Sequence, residues 1–143
     1  MNKINNYKSK YSKATLKRNY FLKVNFQGYD RKRRFYEKLK EFGTDFNNIP
    51  NDLIAVIFML SSYRFTWFNV KKYIHFSGID FEKFNLIESD PRDYLIYKAA
   101  EDIYNRKENI KIYDLTDRSL CSDKTSKLIC DSIMLSRHGL KIL

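Results

Sequence analysis

Leu53-Ile-Ala-Val-Ile-Phe-Met-Leu60 is apolar at all eight positions, so the element it forms keeps no face for water. A strand fits so short a run. However, Ser61-Ser62-Tyr63 continues it without a turn signal, while Pro50-Asn51-Asp52 supplies a turn and cap ahead of it. The run therefore predicts a central helix surrounded by others, and with it a mainly α fold.

Working outward, most of the chain carries helical signals. Asp30 is placed to cap a helix that runs to Phe42 and stops at Gly43, with Phe35, Leu39 and Phe42 as its buried stripe. Asn69 predicts the cap of a helix over 70–76, ended by Gly78. Asp80 predicts a short helix over 81–88 that turns Phe81, Phe84 and Ile87 inward. Asp90-Pro91 is the sharpest local signal: Asp caps, Pro takes the first helical position, and Asp93 adds negative charge in the first turn. That helix reaches about Asn105 and buries Leu95, Ile96, Ala99, Ala100 and Ile103. The last helix starts at Ser122 and ends at Gly139, with Leu140 folding back on Leu135 and His138 at the negative end of the dipole. Residues 20–26 and 109–115 alternate briefly and are expected to be extended and paired. Phe65, Trp67 and Phe68 are expected in the core. The expectation is a compact single-domain bundle of five to six helices with at most a short two-stranded β element. It spans 19–143, behind a basic flexible arm at 1–18.

The charge is unevenly distributed. The chain has 143 residues and a formal charge of +10. Residues 1–40 hold 13 Lys and Arg against Asp30 and Glu37 alone, while residues 41–143 hold 14 against 15 acids. A nearly neutral globule behind a strongly basic segment implies a polyanionic partner. Only four Ala are present, and Asn, Lys, Ile, Tyr and Phe are abundant. AT-rich codons favour these five, which points to a low-GC bacterium or to a phage or plasmid living in one.

Several classes are disfavoured. The longest apolar run falls far below the roughly 20 residues a membrane helix needs. The cationic start has no apolar stretch behind it, so a cytoplasmic location in a bacterial host is expected. Cys121 and Cys130 lie nine residues apart around one helix, about 13 Å at 1.5 Å per residue, which is too far for a disulfide. Asp114, Asp117, Asp123 and Asp131 cluster in sequence but read as caps and solvated side chains, not as a metal site. His75 and His138 are the only general-base candidates near neutral pH, and neither has a nucleophile at suitable spacing. The four Gly are isolated, so no phosphate loop exists. No enzymatic activity, cofactor or metal is expected.

Asp30-Arg-Lys-Arg-Arg-Phe-Tyr-Glu37 carries the functional expectation. It places four cations in the first turn of a helix, where the dipole disfavours them unless an anion is bound. Upstream, Lys8, Lys10, Lys13, Lys17, Arg18 and Lys23 interleave with Tyr7, Tyr11, Tyr20 and Phe21. Basic groups would neutralise phosphates while the rings stack on unpaired bases. The candidate nucleic-acid-binding residues are therefore these six together with Arg31, Lys32, Arg33 and Arg34.

From about Leu22 onward the chain resembles a family of uncharacterised small helical proteins of staphylococci and their relatives. The resemblance is carried by Val24-Asn25, Arg33-Arg-Phe-Tyr-Glu-Lys-Leu39, the central 53–60 run, Tyr94-Leu-Ile-Tyr-Lys-Ala-Ala100 and the closing 127–137 stretch. It implies a compact helical domain and brings no active site. In style the chain also looks like phage accessory proteins, including anti-CRISPR inhibitors of bacterial defence. The resulting expectation is a non-enzymatic protein that binds nucleic acid or a host nucleoprotein complex. The alternative is a protein-interaction or regulatory module acting as a homodimer; a metal-dependent nuclease ranks third.

Overall fold

A computed structural model of the chain describes residues 26, 28–84 and 90–143. The expected arm, the arm–domain boundary, the extended segment up to residue 25 and Ile87 lie outside them. Among the described residues are six α-helices: α1 (Tyr29–Glu41), α2 (Asn51–Leu60), α3 (Arg64–Val70), α4 (Pro91–Asn105), α5 (Ile112–Thr116) and α6 (Asp123–His138). One antiparallel pair joins them, β1 (Ile74–His75) with β2 (Gly78–Ile79), in the register Ile74 to Ile79 and His75 to Gly78. The fold is mainly α, as expected.

The apolar run forms α2, and every residue from Leu53 to Leu60 is buried. α2 packs most extensively on α6 and α4, and also contacts α1 and α3. α1 adds Phe35 and Leu39 to this core, with Phe42 half-buried at its end. Phe26, Phe35 and Phe58 form an aromatic cluster between α1 and α2, with ring centroids 5.1 to 6.0 Å apart.

The caps of α4 and α6 behave as local chemistry dictates. The Asp90 carboxylate accepts from the Asp93 amide, and the Ser122 hydroxyl accepts from the Thr125 amide. α6 ends at Gly139, whose amide donates to the Leu135 carbonyl. Asp30 does not cap α1. The helix starts two residues earlier, after Gly28 at φ 94°, and Asp30 falls in its first turn. Pro50, too, precedes α2 without a side-chain cap.

Three expectations are corrected. Residues 70–76 do not form a helix begun by Asn69. α3 starts earlier, and the chain then leaves it through a 3-10 turn into the β1–β2 hairpin. Tyr73, Ile74 and Phe76 are residues that favour extended backbone, and the Asp80 amide extends the pairing by donating to the Tyr73 carbonyl. In the described part of the segment after Asp80, a 3-10 turn over Phe81–Lys83 followed by extended backbone at Phe84 replaces the start of the expected helix, although Phe81 and Phe84 are buried as expected. Residues 109–115 are not extended. Asp102 accepts from the Asn109 and Ile110 amides, and Asp114 accepts from the Lys111 amide, which starts α5 instead of a strand.

Candidate anion-binding surface

The four consecutive cations of α1 take different roles. Arg34 faces the end of α2, where helix carbonyls lack intrahelical donors. It donates from Nε to the Ser61 carbonyl (2.9 Å) and from Nη2 to the Ser62 carbonyl (3.2 Å). One turn later Lys38, only 7% exposed, donates to the Lys71 carbonyl (3.0 Å) just past α3 and pairs with Glu41 (2.7 Å). Both side chains thus place positive charge at the negative end of a neighbouring helix. Burial lowers the pKa of Arg34 from the usual arginine range, with Asp30 opposing the shift.

Arg33 stays outside, in loose pairs with Asp30 (3.6 Å) and Glu37 (3.9 Å). Lys32 is exposed. Arg31 turns inward, its guanidinium carbon 4.4 Å from the centroid of the Phe58 ring. Burial pushes its pKa down, opposed by the nearby Asp131 carboxylate. Its Nε and Nη2 are buried and find no acceptor among the described residues. Lys8, Lys10, Lys13, Lys17, Arg18 and Lys23 lie outside the described residues.

Among the described residues α1 lines two cavities of interest. The larger, about 240 Å³, lies between α1 and α3 and gathers Arg33, Arg34, Arg64, Lys71, Trp67 and Phe68. Asp30 and Glu37 also line it, leaving a formal excess of two positive charges. Among the described residues neither Arg64 nor Lys71 forms an ion pair. Instead both lie against the Phe68 ring, with the Lys71 Nζ 4.8 Å and the Arg64 guanidinium carbon 5.7 Å from its centroid.

The expectation that the 65–68 aromatics are core holds only for Trp67. Phe65 is 81% exposed and Phe68 51%. α3 explains the division: Thr66, Trp67 and Val70 point inward, so Phe65 and Phe68 share the outer side with Arg64 and Lys71. Thr66 fixes this rotation by donating to the Asp93 carboxylate of α4 (2.9 Å). Arg64, Phe68 and Lys71 stand at i, i+4 and i+7, a helical-face signal that reading the helix from Asn69 concealed.

The smaller cavity, about 50 Å³, is lined by Arg31, Ser62, Tyr63, Lys124, Lys127 and Asp131. Lys127 pairs with Asp131 at 2.7 Å. The Tyr63 ring holds the Arg92 guanidinium carbon 3.9 Å and the Lys124 Nζ 5.5 Å from its centroid.

Asp117 accepts from the Ser119 hydroxyl and amide, bonds that hold its carboxyl below the usual range. His75 is exposed on β1, not on a helix, 3.5 Å from Asp80. Cys121 is buried, which raises its thiol pKa, and Cys130 is exposed; both are free. Among the described residues no three His, Cys, Asp or Glu converge, and no helix is long and apolar enough to cross a membrane. Compared with known proteins, the chain matches no family model, no curated protein and no solved structure.

Proposed function

We propose that this chain is a non-enzymatic nucleic-acid-binding protein that engages single-stranded DNA or RNA through the face shared by α1 and α3. The observation that carries this reading is the exposed Phe68 ring, with Arg64 and Lys71 against it and neither cation paired to a carboxylate among the described residues. Cations neutralise phosphates, and an exposed ring beside them offers a base a stacking surface. An acidic protein partner would use the cations but would not require the ring.

The test is a titration of fluorescent single-stranded DNA and RNA with the parent protein and with Phe68→Ala and Arg64→Ala/Lys71→Ala variants. Loss of one stacked base weakens binding by about 1–3 kcal/mol. Unchanged affinity in all three proteins assigns the binding elsewhere. In a phage setting, the same face would meet nucleic acid within a host defence complex.

The homodimer reading has its own support in Phe65, which is 81% exposed on the same helix. Light scattering after size exclusion separates the two. A monomer whose mass shifts only on adding oligonucleotide fits the first reading, and a dimer lost in Phe65→Ala fits the second.

A further inference from the structure

The smaller cavity has a different character from the α1–α3 face. Three cations from two distant parts of the chain, Arg31 on α1 and Lys124 and Lys127 on α6, line it together with the single carboxylate Asp131. Their formal sum is two positive charges. Lys124 stands in the first turn of α6, where the helix dipole already disfavours it, and Lys127 follows in the second. Arg31 has lost water from Nε and Nη2 without gaining an acceptor among the described residues. Buried donors left unmatched are costly, and a missing ion is one of the ordinary reasons for them.

We propose that this cavity is a binding site for a phosphate monoester or free phosphate, with Arg31, Lys124 and Lys127 as its ligands and Tyr63 as a hydroxyl donor at its edge, while Ser62, whose own hydroxyl donates to the Met59 carbonyl, only lines it. The dianion matches the excess charge. A backbone phosphodiester carries one charge and two bulky substituents, and a cavity of about 50 Å³ suits a single tetrahedral head with one substituent at most. Arginine contributes a planar fork and the lysines contribute point charges, the usual division of labour in phosphate sites. Asp131 holds Lys127 at 2.7 Å and orients its ammonium, at the cost of some repulsion toward the anion. The site does not depend on the proposed α1–α3 interface, and neither lysine belongs to that face.

The test uses the whole chain and inorganic phosphate, followed by amide NMR. Saturable shifts at Ser62, Tyr63 and the first two turns of α6 are expected. Lys124→Ala and Lys127→Ala, both at exposed positions, should each weaken binding about tenfold or more. Asp131→Asn should tighten it.

A second titration compares a 5′-phosphorylated oligonucleotide with its 5′-hydroxyl counterpart. A preference for the phosphorylated end, erased by Lys127→Ala, identifies a strand terminus as the source. Phosphate binding without that preference identifies a free ion or small monoester. No saturable shift up to about 10 mM phosphate, a very weak affinity, overturns the proposal. So do shifts that Lys124→Ala and Lys127→Ala leave unchanged.

Discussion

Arg34 does two jobs that pull in different directions. It lines the α1–α3 cavity, and it closes α2 by donating to the Ser61 and Ser62 carbonyls. Arg34→Ala strands the acceptor of Ser61, a fully buried residue, and should cost about 1–3 kcal/mol in urea unfolding. Arg34→Lys, which lacks the planar fork, should recover only part of it. Removing the four consecutive cations Arg31–Arg34 at once therefore confounds folding with binding, and Arg64 and Lys71 are the cleaner probes.

Gly139 is the second sensitive residue. At φ 72° and ψ −165° it occupies a region almost closed to other residues, and a Cβ there would lie 2.6 Å from the Asn51 side-chain oxygen. Gly139→Ala should lower stability by about 1–3 kcal/mol in the same assay.

Glu101 gives the pH dependence a sign. A hydrogen bond from Lys107 holds its carboxyl below the ordinary value of 4.5. Its stabilising contribution is therefore present above the ordinary value and disappears as pH falls through the lowered one. Lys107→Ala should be less stable than the parent at neutral pH, and the two should converge in acid.

At the scale of elements, α3 separates structure from function by helix face. Trp67→Ala opens the core and should cost about 3–5 kcal/mol. Phe65→Ala and Phe68→Ala should each change stability by less than about 0.5 kcal/mol, because both rings already meet water. Thermal or urea unfolding of the three variants checks this directly.

The same helix shows what the residues revealed and what they hid. Asp90-Pro91 and Ser122 were legible because a cap is settled within four residues. α2 was legible because an eight-residue apolar run has only one place to go. The start of α3 was not, since no capping side chain marks it and Thr66 fixes its rotation through Asp93, 27 residues away. α5 was missed because Asp102, seven and eight residues upstream, takes the amides that a strand would have needed. The cationic site was partly legible. Four adjacent cations marked α1 as special, but which faced outward depended on where the ends of α2 and α3 came to rest.

For the molecule as a whole, a formal charge of +10 overstates what is free to bind. Arg34 and Lys38 are committed to helix ends, Arg33 is loosely paired, and Arg31 turns into the smaller cavity. The charge on the α1–α3 face that is unpaired among the described residues comes from Arg64 and Lys71, which lie in the part of the chain whose net charge is close to zero. The distribution by position pointed to the basic segment, but the fold completes the surface with residues from elsewhere. Binding there should be salt-dependent, with each phosphate contact contributing about 0.7 to the slope of log affinity against log salt for a single strand.

The most direct measurement is that slope, taken with a single-stranded oligonucleotide for the parent protein and for Arg64→Ala/Lys71→Ala, with unfolding curves confirming that both are folded. The α1–α3 interface predicts a salt-sensitive parent and a slope shallower by about 1.4 in the double variant. A salt-sensitive parent whose slope is unchanged in the variant, or a parent that does not bind, contradicts it.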